Sequence, residues 1–133
     1  MIDHLGIIVN DIKKSCAWYE AALKSIAYGK LIELSKEITG HTDVAGFGIV
    51  NSHKADFWLS QATESRKANQ NIHIAFRAEN RQQVDEFYEA AIKAGGKDNG
   101  KPGLRPLYHE NYYGAFVYDL DGNNLEVVCH NPS

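Results

Sequence analysis

Residues 71–80 read NIHIAFRAEN. Ile72, Ile74 and Phe76 alternate with Asn71, His73, Ala75 and Arg77, the period-two pattern of a β-strand with one apolar face. His73 stands on the second face. A lone strand histidine is usually solvated or hydrogen-bonded, so the stretch alone gives it no special role. The following segment, 80–94, spaces Val84, Phe87, Tyr88 and Ala91 along one helical stripe, and Gly95-Gly96 supplies a C-terminal stop.

The same order occurs earlier in the chain. A strand over 2–9 precedes a helix over 11–25, with Ile12, Cys16, Tyr19 and Leu23 on one stripe and Asp11 placed as N-cap. Tyr88 follows Tyr19 by 69 residues, and at that shift Glu89, Ala90 and Ala91 fall on Glu20, Ala21 and Ala22, Ile92 on Leu23, and Phe87 on Trp18. His73 follows His4 by the same 69, and GAF at 114–116 lies on AGF at 45–47. An internal repeat at one fixed shift means one supersecondary unit used twice. The unit is strand–helix–strand–strand–strand, with further strands at 28–34, 43–50 and 55–60, and then at GAFVYD and NNLEVVC. Asp121-Gly122 between the last two is a tight-hairpin signal. The chain therefore reads as a single α+β domain of two units, about 1–61 and 70–130, joined by a polar linker at 62–69. The segment KDNGKPGLRPLYHENYYG, 97–114, reads as a loop that either connects elements or rims a site.

The repeat puts His4 and His73 at equivalent places, each followed on its own face by a small residue, Gly6 or Ala75. Alternation turns Leu5, Ile7 and Val9, like Ile72, Ile74 and Phe76, towards the helices and both histidines into the opposite concave face. In NNLEVVC, Glu126 points away from Leu125, Val127 and Cys129. A carboxylate inside a core strand needs a partner. Two imidazoles and a carboxylate are ligands for a divalent metal ion; an ion pair between Glu126 and Arg77 would serve the charge equally. At the shift of 69, Phe57 stands where Glu126 does, so that corner offers no donor. A one-residue slip would put Asp56 or Trp58 there. Phe57 and Trp58 are core residues or pocket wall. In the 97–114 segment Arg105 is placed to hold an anionic group, and Tyr108, His109, Tyr112 and Tyr113 to wall a pocket. His41, His53 and His130 read as surface.

Three stretches carry a family likeness: DHLGIIVNDIKKSCAWYEAAL, HIAFRAENRQQVDEFYEAAIKAGG and YYGAFVYDLDGNNLEVV, together most of the chain. It resembles the vicinal oxygen chelate superfamily, which includes glyoxalase I, fosfomycin-resistance transferases, extradiol dioxygenases and bleomycin-resistance proteins. The resemblance implies paired βαβββ modules forming an open, cup-shaped mixed sheet. It also implies a divalent ion (Zn, Ni, Mn or Fe) on His4, His73 and Glu126, and a homodimer. The implied activity is that of a metal-dependent lyase, isomerase or thiol transferase on a small oxygen-chelating substrate. In such an activity Glu126 is the candidate catalytic residue, and Phe57, Trp58, Arg105, Tyr108 and Tyr113 are the residues read from the sequence as candidates to contact the substrate. Two alternatives stand beside it: an Fe(II) ring-cleavage type of dioxygenase, and a non-catalytic drug- or metabolite-binding resistance protein. Glyoxalase I has a fourth protein ligand at the corner read here as Phe57, a departure from that member.

Bulk properties fit a small-molecule partner. The 133 residues suffice for one packed domain, and a net charge of -3 gives no basic surface for nucleic acid. No apolar run suits a bilayer, and no signal peptide is expected at the N-terminus. Cys16 and Cys129 form no disulfide framework, in keeping with a reducing cytoplasm. There is no GxGxxG, P-loop or GxSxG motif.

Overall fold

A computed structural model describes residues 1–133. The elements are β1 (Leu5–Val9), α1 (Ile12–Leu23), β2 (Tyr28–Leu34), a one-turn α2 (Lys36–Thr39), β3 (Val44–Ile49) and β4 (Phe57–Gln61). After the linker come β5 (His73–Ala78), α3 (Arg81–Lys93), β6 (Lys97–Leu104), β7 (Tyr113–Tyr118) and β8 (Asn124–Cys129). Two mixed four-stranded sheets result, ordered β1-β4-β3-β2 and β5-β8-β7-β6. In each, the first and last strands of the unit are parallel neighbours, β1 with β4 and β5 with β8. The repeat read from the sequence is thus a repeat of topology. No helix is long and apolar enough to cross a membrane.

Both long helices start as their sequences direct. Asp11 Oδ1 accepts from the Lys14 N–H at 3.1 Å and Asn80 Oδ1 from the Gln83 N–H at 2.9 Å, each satisfying one orphan donor of the first turn. Their apolar stripes bury Trp18, Tyr19, Ala22 and Leu23 on α1, and Val84, Phe87 and Ala91 on α3. The helices pack on each other as well as on their own sheets. Trp18 Nε1 donates to the Ala91 carbonyl at 3.1 Å, and Ser25 Oγ to the Gln83 carbonyl at 2.9 Å. One continuous core follows, closed by an aromatic chain in which Phe57 touches Tyr19, Phe47 and Phe76. Because the helix-bearing faces of both sheets share that core, the opposite face of each sheet turns outwards.

Two segments differ from the sequence reading. Lys97–Leu104, taken as loop, is the edge strand β6. Its glycines and Pro102 masked it, yet an edge strand tolerates a proline, and the register slips twice, between Asp98 and Gly100 and between Gly100 and Gly103. The first strand also starts at Leu5 rather than residue 2, which leaves His4 just outside β1.

A buried tie between the modules is Tyr19. Its hydroxyl donates to Asp119 Oδ2 at 2.5 Å, in the turn that joins β7 to β8. Asp119 also accepts from the backbone N–H groups of Asp121 and Asn123, at 2.9 and 2.8 Å. Burial, and then the Asp119 charge, pushes the Tyr19 hydroxyl well above its ordinary pKa, so it stays a donor. Tyr19→Phe is expected to cost about 1–3 kcal/mol, the range for a buried polar group left short of a partner. Urea unfolding measures it: a lower midpoint at unchanged slope is the expected result, and an unchanged midpoint would contradict the tie.

Candidate functional site

Strand β8 lies between β5 and β7, so a side chain on its outward face is surrounded on both sides. Glu126 is that side chain, paired with Ala75 on β5 and Phe116 on β7 while Leu125, Val127 and Cys129 enter the core. It is only 1% exposed. Each carboxylate oxygen has its own neighbour. Oε1 accepts a hydrogen bond from the Tyr112 hydroxyl, and Oε2 lies 3.2 Å from His73 Nε2. Room for this comes from Gly114: a Cβ there would stand 3.3 Å from Glu126 Oε1 and 3.3 Å from Tyr112 Cε1.

His73 is oriented by its other nitrogen. Nδ1 lies 3.1 Å from the Asn124 carbonyl oxygen, which can only accept, so Nδ1 carries the hydrogen. In the neutral ring Nε2 then presents a lone pair to a carboxylate oxygen. Two such atoms 3.2 Å apart call for a cation, either a proton or a metal ion. The imidazole also stacks along Phe116, with centroids 6.3 Å apart and planes 24° apart.

Tyr112 is held in an aromatic box of Tyr108, His109 and His130, with ring centroids 4.8, 5.4 and 5.2 Å away. His109 Nε2 and His130 Nδ1 are 2.6 Å apart and share a hydrogen bond. Burial, followed by the hydrogen bond to Glu126, pushes the Tyr112 hydroxyl above its ordinary pKa. It therefore donates to Glu126 throughout the physiological range.

The structure places the residues singled out from the sequence in different ways. His73 and Glu126 come together. His4 does not reach them within one chain. It sits by the other sheet, exposed, with Nδ1 2.7 Å from Asp3 Oδ1. Asp3 also pairs with Lys54, and these two contacts, His4 first, hold its carboxyl below the usual range. No group of three or more His, Cys, Asp or Glu side chains within the single chain is arranged to hold a metal ion. Arg77, the other partner considered for Glu126, forms no ion pair; the carboxylate meets His73 instead.

The register decides the open corner. Glu126 pairs with Ala75, and the residue equivalent to Ala75 in the first module is Gly6, which pairs with Trp58. Trp58, not Phe57, is thus the counterpart of Glu126. Its indole lies over Gly46, where a Cβ would approach Cη2 to 2.9 Å. Phe57, read from the sequence as core or pocket wall, is 1% exposed in the core and does not reach the site. Asp56 lies one residue before β4 and its carboxyl is raised by burial.

Tyr113 is likewise corrected. Its hydroxyl donates to Asp85 on α3 at 2.7 Å, and Arg81 covers its ring, so it belongs to the helix side. The alternation that takes Tyr113 inwards leaves Tyr112 on the site, a residue that the sequence groups with Tyr108, His109 and Tyr113 as pocket wall without singling it out. Tyr108 is 65% exposed beside Tyr112, and Arg105 lies over Phe116, its guanidinium carbon 5.5 Å from the ring centre. Cys16 lines a separate cavity of about 360 Å³ between α1 and the β2–β3 pair. Burial lifts its thiol to about 11, which keeps it unreactive at neutral pH.

The profile of the Glyoxalase/Bleomycin resistance protein/Dioxygenase superfamily matches residues 1–127, and the chain belongs to that superfamily. Among solved structures, it is similar to a glyoxalase/bleomycin resistance protein from Albidiferax ferrireducens T118 (24% identity, 98% of each chain, TM-score 0.77). A glyoxalase I mutant from Zea mays matches at 21% identity over 96% of this chain and 46% of the other, with TM-score 0.74. A mutant of the fosfomycin resistance protein FosX from Listeria monocytogenes, complexed with Mn(II) and 1S,2S-dihydroxypropylphosphonic acid, matches at 18% identity over 96% and 88%, with TM-score 0.65. No curated protein matches significantly in sequence. At these identities the structures establish the shared fold.

Tyr112→Phe removes one donor from a buried carboxylate. It is expected to lower stability by about 1.5–3 kcal/mol, the range for a hydrogen bond to a charged group. Thermal and urea unfolding read this directly, and a variant as stable as the parent would contradict the Tyr112–Glu126 hydrogen bond.

Proposed function

We propose that this superfamily member is a metal-dependent enzyme of the glyoxalase type, acting on a small substrate with adjacent oxygen atoms. The observation that carries the reading is the His73–Glu126 pair, an imidazole nitrogen and a buried carboxylate oxygen 3.2 Å apart on an outward sheet face. Those donors suit a first-row divalent ion, Zn, Ni, Mn or Fe(II). The FosX structure with Mn(II) supports the choice of ion class.

The third ligand in this reading is His4, supplied by a second copy of the chain. Within one protomer the outward faces of the two sheets carry separate parts of the site, Glu126 and His73 on one, His4 and Trp58 on the other. A two-fold dimer that lays the first sheet of one copy against the second sheet of the other completes two equivalent cups. Three protein ligands leave positions open for substrate, because Trp58 offers no donor at the fourth corner.

When bound, the ion supplies Lewis acidity to the substrate oxygens. The chain supplies the rest. His73 is fixed in one tautomer by the Asn124 carbonyl. Tyr112 engages Oε1 of Glu126 and so leaves Oε2 to face the site. Glu126 serves as the base only when Oε2 leaves the ion: the freed carboxylate oxygen takes a proton from the carbon or hydroxyl beside the chelating oxygens and returns it to the product before it ligates again. Trp58 and Phe116 wall the cup and exclude water.

Elemental analysis of purified protein, beside His4→Ala, His73→Ala and Glu126→Gln, tests the reading. About one metal ion per chain is expected in the parent and loss in each variant, with turnover abolished by chelator and restored by metal. Absence of metal after incubation with Zn, Ni, Mn and Fe(II) would overturn it and leave a metal-free binding protein as the reading.

A further inference from the structure

Resting on the chelate reading above, we infer that Arg105 selects the substrate: a chelating molecule that also carries a carboxylate or phosphoryl group. The inference starts from the irregular strand β6. Gly100 and Gly103 flank its second register slip, and a Cβ on either would approach the Arg105 guanidinium, to 3.3 Å from Nη2 and 3.1 Å from Nη1. The two glycines form a bed in which the side chain folds back across its own strand. There Nη2 donates to the Lys101 carbonyl at 2.7 Å and Nη1 to the Leu104 carbonyl at 3.4 Å. Beneath lies Phe116, whose other neighbour is His73. The backbone completes the link to the site, since the Arg105 N–H donates to the Tyr112 carbonyl at 2.7 Å.

The guanidinium is therefore pinned by carbonyls and by Phe116, the same ring that stacks on the candidate ligand His73. It has no carboxylate partner anywhere in the chain. Carbonyl contacts would brace the bulge, but they consume donors and leave the charge unanswered. A half-buried cation without a counter-ion favours whatever anion reaches it. A planar fork with donors to spare matches the two oxygens of a carboxylate or phosphoryl group, and pre-organisation spares the cost of ordering a long side chain. A neutral chelator would gain nothing from this device.

The test uses the full chain loaded with Mn(II) and three hydroxamates that share one chelating head: acetohydroxamate, succinomonohydroxamate with a carboxylate, and phosphonoacetohydroxamate with a phosphonate. Calorimetric titration is expected to show at least one of the two charged probes binding about tenfold or more tightly than acetohydroxamate. The charged probe that gains more identifies the natural group. Arg105→Gln should erase the advantage and leave acetohydroxamate unchanged. Gly103→Ala, which keeps the charge but crowds Nη1 from its bed, should reduce it. Equal affinity for all three probes in the parent, or an advantage undiminished in Arg105→Gln, would overturn the inference while leaving the chelate reading intact. Failure of acetohydroxamate itself to bind in a metal-dependent way would overturn both.

Discussion

Everything at the candidate site follows from the burial of one charge. Glu126 stands in the middle of β8, an inner strand of its sheet, and is 1% exposed. Several kcal/mol would oppose an isolated carboxylate there. The surrounding sequence is arranged about that cost: a glycine at 114 to clear space, a tyrosine at 112 to donate to one oxygen, and a histidine at 73 aimed at the other. Replacing Glu126 by an apolar residue would make an easier core. Its presence there, together with a histidine oriented by a backbone carbonyl, supports the cation proposed for this position.

The second constraint is the way the modules share their core. Helix-to-helix packing, with Trp18 against Ala91 and Tyr19 tied to Asp119, turns the site-bearing face of each sheet away from the common interior. In the proposed reading a protomer thus holds two unlike halves of a cup rather than a whole one. Strands β1 and β5 stand at the sheet edges, and on β1 the N–H and carbonyl of Ile8 are already engaged by Asn69. A two-fold partner is the simplest closure for such an arrangement, because one contact brings unlike halves together twice.

Much of this was legible in the sequence, because two periods and one repeat shift coincide there. The period of two identified β1, β5 and β8 and set Glu126 apart from its apolar neighbours. The shift of 69 paired the helices and the two histidines. It failed at β4 for a physical reason. In the second module Ile74 pairs with Leu125, but in the first Leu5 pairs with Phe57, one residue further on than the shift allows. In a strand a single residue reverses which face a side chain takes, so Phe57 went into the core and Trp58 to the corner. The same parity separates Tyr112 from Tyr113. Strand β6 was hidden because Gly100, Pro102 and Gly103 read as loop, although the repeat itself demanded a strand there. The separation of His4 from the other two candidate ligands was beyond reach: alternation fixes a face, not how two sheets are packed.

The claim on which the account turns is that His4 of one copy completes the site of another. Co-expression of the His4→Ala and Glu126→Gln chains tests it most directly. Each variant alone should hold no metal. In a mixed dimer one site is doubly broken and the other fully intact, so random pairing should restore about a quarter of the parent's metal content. Recovery at that level is the result expected from shared sites. A mixture as empty as either variant alone, with mixed dimers verified by mass spectrometry, would contradict it.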